Sequence, residues 1–189
     1  MLPWLLNEGK ETFVTEFLDP LGAKFLATQR IRVVNAATIM VNLGLSPRLL
    51  FDMAKVKSHI GGGWIKVQKR RDGLYVAGRK VVFFLAERQK GVNPLKGYEL
   101  LDELTGKSVL NANILDALYE HPELIPEDWK RDEAGNIHVI YFWGSIYGYT
   151  GTDRLFVRCF CFHDGSWKRD YNWLDNDFLG RRPAALLAS

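Results

Sequence analysis

Positive charge in this 189-residue chain is concentrated in one stretch that could bind a polyanion. Residues 55–90 hold ten Lys and Arg side chains against two carboxylates, Asp72 and Glu87, which is a net charge of +8. Lys and Arg bind phosphate groups, and each neutralised phosphate releases a counterion. The alternative interpretation is a solvated hairpin that binds nothing. The residues that we expect to contact nucleic-acid phosphates are Lys55, Lys57, Lys66, Lys69, Arg70, Arg71, Arg79 and Lys80.

The rest of the chain does not share this charge. Residues 1–54 are neutral overall, residues 97–189 carry a net charge of −6, and the whole chain carries +3. Such asymmetry indicates either an anionic partner for the basic stretch or contact between the basic and acidic parts of the chain. Neutralisation of the basic stretch by carboxylates beyond Gly97 would therefore contradict the nucleic-acid hypothesis.

Aromatic residues near the C-terminus form a second candidate site. Residues 137–149, 155–162 and 167–174 alternate as strands do, with turn residues between them, and predict an antiparallel meander. One face of that meander would carry many rings and two arginines, which could stack on bases or sugars. The alternative is that this face is core, covered by a helix over residues 111–120. The stacking candidates are Trp143, Tyr147, Trp167, Arg169, Tyr171 and Trp173.

The sequence offers weaker patterns for metal binding or catalysis. Asp170, Asp175 and Asp177, with His163, could hold a divalent cation in a hydrolase or nuclease, but an Asp-Asn-Asp run also suits a turn. The pair Cys159 and Cys161 has Cys-x-Cys spacing and no second pair, which favours two buried residues over a zinc site. We therefore predict no catalytic residue, no metal ligand and no cofactor.

The N-terminal half is predicted to be mainly helical. Apolar spacing indicates helices over residues 5–18, 24–43 and 47–58, although Arg30–Val34 could equally be a strand. A β-hairpin over residues 64–86 follows, with its turn at Arg71-Asp72-Gly73. Two helices and a basic hairpin in this order are arranged like a winged helix, whose hairpin contacts phosphates.

A polar segment at residues 91–97 is predicted to link two domains. The first, residues 1–90, is the helical, basic, winged-helix-like domain. The second, residues 98–189, has short helices followed by the aromatic meander. The predicted fold class is α+β: a helical N-terminal part with a basic β-hairpin, then a C-terminal domain with a helical lead-in and a three-stranded antiparallel meander.

Four strings in the second half resemble one protein family. They are LNANILD at residues 110–116, HPELIPEDW at 121–129, FWGSIY at 142–147 and YNWLDND at 171–177. Together they resemble the C-terminal module of a family of uncharacterised bacterial proteins, over about residues 98–189. The resemblance implies a discrete C-terminal domain. It implies no activity and no functional residue.

These observations favour a non-catalytic binding module. The basic hairpin would contact nucleic acid, and the C-terminal domain would bind a partner. The alternatives are a protein-binding accessory or inhibitor factor of a mobile genetic element, and a metal-dependent hydrolase or nuclease using the Asp cluster. No apolar run approaches the ~18 residues of a membrane span, and no signal peptide is visible, so we expect a cytoplasmic protein with no membrane partner. The oligomeric state is left open.

Overall fold

A computed structural model describes residues 29–90 and 94–189, and the helix predicted over residues 5–18 lies outside that range. The strands are β1 (Ile31–Asn35), β2 (Thr38–Asn42), β3 (Ala54–His59), β4 (Trp64–Arg70), β5 (Gly73–Val76), β6 (Arg79–Phe84), β7 (Leu95–Lys96), β8 (Ile140–Tyr149), β9 (Leu155–His163), β10 (Ser166–Trp173), β11 (Asp177–Phe178) and β12 (Ala184–Leu187). The helices are α1 (Glu87–Lys90), α2 (Gly97–Glu103) and α3 (Ala112–Glu120), with 3₁₀ turns at Pro122–Leu124 and Glu127–Trp129.

The fold is mostly β and is built on one curled sheet of ten strands. Nine of them follow the order β1-β2-β4-β5-β6-β12-β8-β9-β10, and β3 pairs with β8 beside that path. β7 and β11 form a separate two-stranded sheet. The predicted α+β fold is therefore wrong. Strands β8, β9 and β10 do pair in sequence order, but they form one end of the large sheet rather than a three-stranded meander.

The predicted helical N-terminal part is wrong wherever the structure describes it. The described part of residues 24–43 forms the β1–β2 hairpin, so the strand interpretation of Arg30–Val34 is the better one. Residues 47–58, predicted as a helix, form a loop and then β3, which pairs with β8. Leu49 and Met53, expected on the apolar side of that helix, are exposed. The described residues therefore contain no winged-helix arrangement.

Helix α3 confirms the helix predicted over residues 111–120 and lies within the core of the described structure. The side chain of Asn111 caps its N-terminus and accepts hydrogen bonds from the backbone N–H groups of Asn113 (3.1 Å) and Ile114 (3.3 Å). Every residue from Ala112 to Leu118 is buried. A helix buried on all sides must be enclosed by other elements, and here the curled sheet encloses it.

The inner surface of the sheet packs against α3. Val41, Val67 and Val76, from β2, β4 and β5, share one apolar cluster with Ile114 and Leu118 of α3. The opposite faces of these three strands are left toward solvent. Because side chains alternate along a strand, polar residues between the buried valines must point outward. The fold thereby produces an outer face on this end of the sheet.

One sheet contains strands from both sides of the segment 91–97. Strand β12 pairs antiparallel with β6, with Ala185 opposite Phe83, and is joined in parallel to β8 through Ala184 and Tyr141. Within the segment predicted as a linker, Leu95 is fully buried in β7. Within residues 29–90 and 94–189, no helix is both long enough and apolar enough to span a membrane.

Candidate nucleic-acid interface

The candidate site is the outward-facing side of β1, β2, β4, β5 and β6. Cross-strand register places Arg32 opposite Met40, Met40 opposite Lys66, and Tyr75 opposite both Gln68 and Lys80. Residues directly opposite each other in antiparallel strands project from the same face. We call this surface the outer basic face; its members are Arg32, Met40, Trp64, Lys66, Gln68, Arg70, Tyr75 and Lys80.

Two aromatic rings on the outer basic face each lie against an arginine. The guanidinium carbon of Arg32 is 4.0 Å from the centroid of the Trp64 ring, and that of Arg70 is 4.0 Å from the centroid of the Tyr75 ring. Such cation–π contacts are worth about 0.5–1 kcal/mol at exposed sites. The contacts show that each ring presents one face to a neighbouring side chain instead of burying it in the core.

A shallow depression of about 260 Å³ opens beside Tyr75. It is lined by Lys66, Gln68, Arg70 and the turn formed by Ala77 and Gly78. Both turn residues have positive φ angles, 50° and 78°, which is the geometry of the tight turns that match the twist of a hairpin. The turn therefore reverses the chain so that β6 pairs with β5. The cations of Lys66 and Arg70, the Gln68 amide and the Tyr75 side chain surround one hollow.

One carboxylate lies at the edge of this surface. Asp72 Oδ2 is 3.3 Å from Lys80 Nζ and accepts a hydrogen bond of 2.7 Å from the Tyr75 hydroxyl. The hydrogen bond from Tyr75 lowers the pKa of Asp72, with a smaller contribution from Lys80, and the same bond raises the pKa of Tyr75. Asp72 therefore stays ionised, Tyr75 stays neutral, and the charge of Lys80 is partly compensated.

The other cations of the outer basic face have no such partner. Among the described residues, no ion pair joins Arg32, Lys66 or Arg70 to a carboxylate. The acidic residues beyond Gly97 that the structure describes therefore do not neutralise this surface. Within the described residues, three positive charges of this surface therefore lack a carboxylate partner.

The phosphate-contact residues predicted from the sequence divide into groups. Lys66, Arg70 and Lys80 lie on the outer basic face, and Arg71 is exposed in the adjoining turn. Lys69, on the opposite side of β4, donates hydrogen bonds of 2.8 and 3.2 Å to the backbone carbonyls of residues 123 and 125. Its charge is thus directed toward the body of the protein.

The remaining three lie elsewhere. Arg79 donates a hydrogen bond of 2.7 Å from Nε to the backbone carbonyl of Ala188. Lys55 and Lys57 are exposed on β3, the strand that pairs with β8. The structure therefore does not bring all eight predicted residues onto one surface.

Sequence reasoning missed three members of the site, Arg32, Met40 and Tyr75. Alternation of side chains in the sequence of β4 is enough to place Trp64, Lys66, Gln68 and Arg70 on one side, as the cross-strand register shows. Arg32 was missed because its segment was interpreted mainly as helix, and Tyr75 could have been found from the register of the predicted hairpin. Arg32 reaches Trp64 across β2, a contact that depends on long-range strand order.

The aromatic face predicted near the C-terminus is divided by a bulge in β8. Tyr141 lies opposite Cys159 but Ile146 lies opposite Val157, so five steps along β8 match two along β9. The two step counts differ by three, which is an odd number. A side chain after the bulge therefore points to the face opposite to the one that simple alternation along β8 would give it. Trp143 consequently packs against Phe178 on one side, whereas Tyr147, four residues later, lies on the other side in a cluster with Ala112 of α3.

The proposed stacking residues from this region contribute largely to the core. Trp143, Tyr147 and Trp167 are buried, and Tyr171 and Trp173 are half-buried around Phe156. This placement agrees with the alternative that the aromatic face is core. The first three rings are not accessible to a base in this structure.

Arg169, the remaining stacking candidate, belongs to a charged cluster at α3. Arg158 makes two hydrogen bonds to the Asp116 carboxylate, 2.7 Å from Nη2 to Oδ1 and 3.0 Å from Nη1 to Oδ2. Arg169 Nη1 donates a third bond, 3.0 Å, to Oδ1. The guanidinium of Arg169 also lies 4.0 Å from the Tyr119 ring centroid. Through Asp116, the two arginines thus link β9 and β10 to helix α3 by hydrogen bonds.

The side chains considered for metal binding are not brought together. Asp175 pairs with Arg154 (3.2 Å) and Asp177 with Lys96 (2.7 Å), while Asp170 accepts a hydrogen bond from the adjacent backbone N–H. The nearest carboxylate partner of His163 is Asp164, at 2.9 Å. Within residues 29–90 and 94–189, no group of three or more His, Cys, Asp or Glu residues is placed to hold a metal ion.

The two cysteines are free thiols on β9. Cys159 is buried, and burial raises its pKa well above the usual range of a thiol. Burial also raises the pKa of Cys161, with a smaller contribution from Asp170. Metal ligation and nucleophilic attack both require the thiolate, which this environment disfavours.

No protein-family model matches the chain, and no match was found among the curated proteins or the solved structures. The resemblance of residues 98–189 to a bacterial family therefore stays a prediction. Function is inferred from the geometry of the outer basic face.

Proposed function

We propose that this protein is a non-catalytic binding module that contacts nucleic acid through the outer basic face. The observation that carries the proposal is the group of three cations, Arg32, Lys66 and Arg70, on one exposed surface without carboxylate partners among the described residues. Like charges that are held together without internal compensation repel one another and attract polyanions. Phosphate groups supply the compensating charge.

The dimensions of the surface suit a polyanion. Lys66 and Arg70 are four residues apart on β4, which corresponds to about 13 Å along the strand. From β1 to β6 there are four inter-strand spacings, or about 19 Å across the sheet. A surface of this size can contact several consecutive phosphates. Arg71, exposed in the turn after Arg70, extends the positive charge beyond the end of β4.

The test is the salt dependence of oligonucleotide binding. A fluorescein-labelled 15-nucleotide strand, alone and annealed to its complement, is titrated with the protein between 0.05 and about 0.5 M salt, and anisotropy gives Kd. With three cations engaged, the slope of log affinity against log salt should be about −2 to −3. In the variant Lys66→Ala/Arg70→Ala it should fall to about −0.7 to −0.9, because one cation remains.

The plots of log affinity against log salt for the wild type and for Lys66→Ala/Arg70→Ala should meet near 1 M salt. At 0.1 M salt the affinities of the two proteins should differ about 25- to 60-fold. The matched control is Arg131→Ala/Lys168→Ala, which removes the same net charge from exposed residues outside the outer basic face. We expect the control to bind as the wild type does. A flat salt dependence, or an equal loss in both double variants, would contradict the proposal.

A second candidate function, binding of a protein partner through the C-terminal part, is favoured by a groove of about 550 Å³ beside the end of α3. Tyr119, Phe162 and Trp167 contribute its apolar walls, and Glu127 and Lys130, which pair with each other at 2.6 Å, lie beside them. We propose that it receives an apolar side chain of a protein partner. Such a side chain would complement the apolar walls.

The test of this second function uses a photo-crosslinking residue at position 119 in the native host, with lysates treated with nuclease. Tyr98 provides the control position, because its exposed fraction of 38% matches the 37% of Tyr119. A protein adduct at position 119 that is absent at position 98, and whose crosslinked segment presents an apolar side chain, supports the proposal. Equal labelling at both positions contradicts it.

A further inference from the structure

We infer that the nucleic acid on the outer basic face is unpaired, with bases stacking at Trp64 and Tyr75 while the arginines beside those rings take phosphates. This inference rests on the proposed function and specifies its ligand. It depends on one juxtaposition: two aromatic rings and three cations, which have no carboxylate partner in the described part of the chain, share the exposed side of neighbouring strands.

The placement of the rings suits two unpaired bases that are not adjacent in one extended strand. Trp64 lies four residues before Gln68 on β4, and Tyr75 lies directly opposite Gln68 on β5. The two ring-bearing Cα positions are therefore about 14 Å apart, from the rise along a strand and one inter-strand spacing. In a duplex the base faces are covered by neighbouring pairs, whereas an unpaired strand exposes them to aromatic side chains.

The arginines allow an exchange of partners on binding. In the free protein, Arg32 and Arg70 each occupy one ring face, at 4.0 Å from the centroid. Stacking of a base on a protein ring is stronger than an exposed cation–π contact, so a base can replace the guanidinium. The displaced guanidinium remains on the same surface, where it can form a bidentate contact with the adjacent phosphate. Neither the ring nor the cation is then left without a partner.

The hollow beside Tyr75 supplies polar groups for the edge of a base. Lys66 and Arg70 contribute donors, and the Gln68 amide, which accepts a hydrogen bond of 3.2 Å from Arg70 Nε, contributes both a donor and an acceptor. A base stacked at Tyr75 would therefore have hydrogen-bonding groups within the same depression. The edges of paired bases are already engaged with their complements.

The curvature of the sheet also favours a flexible strand. Because the sheet encloses α3 with its inner side, the outer basic face is on the convex side of the curl. A stiff duplex, itself a cylinder, contacts a convex surface along a narrow line, whereas an unpaired strand can follow the surface. The persistence length of duplex DNA, about 150 base pairs, prevents it from bending over so short a distance at low cost.

The sugar is not specified by this surface, so the shared chemistry is an unpaired polynucleotide. The experiment measures Kd by anisotropy at 0.1 M salt for a mixed-sequence 15-nucleotide DNA strand, the RNA strand of the same sequence, and the DNA duplex. The proteins are the wild type, Trp64→Leu/Tyr75→Leu, the conservative Trp64→Phe/Tyr75→Phe, and Tyr98→Leu as a control at an exposed tyrosine outside the face.

We expect the wild type to bind at least one of the single strands about 10-fold more tightly than the duplex. The leucine variant should lose about 30-fold or more on that single strand, because two stacking contacts are removed, and less than about 3-fold on the duplex. The retained duplex binding of the leucine variant shows that it is folded. The phenylalanine variant should keep most of the single-strand affinity, because its rings still stack, and Tyr98→Leu should have no effect. A difference between the DNA and RNA strands identifies the natural sugar.

Equal affinity for single strand and duplex, with no loss of affinity in the leucine variant, would overturn the inference. The proposed function would still stand if Lys66→Ala/Arg70→Ala weakened binding. A leucine variant that loses affinity equally for all ligands would also overturn it. Absence of binding to all three ligands would contradict the proposed function itself. The two failures are therefore distinguishable.

Discussion

Replacing Asp116 by Asn tests whether the buried charged cluster holds α3 inside the sheet. The Asp116 side chain is 6% exposed and that of Arg158 is 1% exposed, and three hydrogen bonds of 2.7–3.0 Å join this carboxylate to two arginines. The substitution keeps the shape of the side chain and removes its negative charge. Arg158 would then be a buried cation without a counter-ion.

Breaking a buried ion pair by removing one partner costs about 3–5 kcal/mol, and we expect a loss of this size in the free energy of unfolding. For a chain of this length it corresponds to a decrease of roughly 6–20 °C in Tm, at about 2–4 °C for each kcal/mol. Urea unfolding followed by tryptophan fluorescence measures the free energy, and calorimetry measures Tm.

The matched control is Asp175→Asn. Asp175 pairs with Arg154, but these side chains are 50% and 51% exposed, and such surface pairs contribute about 0–1 kcal/mol. The double variant Asp116→Leu/Arg158→Met should recover part of the stability lost in Asp116→Asn, because it leaves no buried cation on β9. If Asp116→Asn unfolds at the same urea concentration as Asp175→Asn, the cluster does not hold α3 in place.

Two further outcomes follow from individual contacts. Asp72→Asn should strengthen oligonucleotide binding and steepen the slope of log affinity against log salt by about 0.7–0.9, because Lys80 loses its carboxylate partner and becomes a fourth available cation. Weaker binding in the anisotropy titration would contradict this role of Asp72. Gly97→Ala should destabilise the protein by about 1–3 kcal/mol, since the added Cβ would lie 2.6 Å from the Cα of Leu174. The control in the same urea experiment is Gly62→Ala, where the added Cβ would have no atom within 4 Å. Equal stability of the two variants would contradict this close packing at Gly97.

Elements with strong local signals could be predicted from the sequence. Asn111 caps α3 through its own side chain, so the start of that helix depends only on neighbouring residues. The turn between β9 and β10 has Asp164 and Gly165 with φ angles of 49° and 73°, the geometry that an Asp-Gly pair favours in hairpins. The alternation along β4 likewise identified the outward side of Trp64–Arg70.

Elements whose structure depends on distant partners could not be predicted. β3 exists because its backbone pairs with β8, and the apolar residues before it gave a misleading helical period. The bulge in β8, which sends Trp143 and Tyr147 into different clusters, has no sequence signal that fixes its position. In the same way, Arg32 joins the candidate site only because β1, β2 and β4 are neighbours.

The most direct test of the central claim is a ¹H–¹⁵N NMR titration of the protein with the unlabelled 15-nucleotide DNA strand. We expect the Trp64 indole N–H and the backbone amides of Lys66, Gln68 and Tyr75 to shift together and to saturate with one Kd. The buried indole of Trp143 should stay unchanged and serves as an internal reference. Shifts confined to the groove around Tyr119, or no shifts at saturating strand concentration, would contradict the assignment of the outer basic face as the nucleic-acid site.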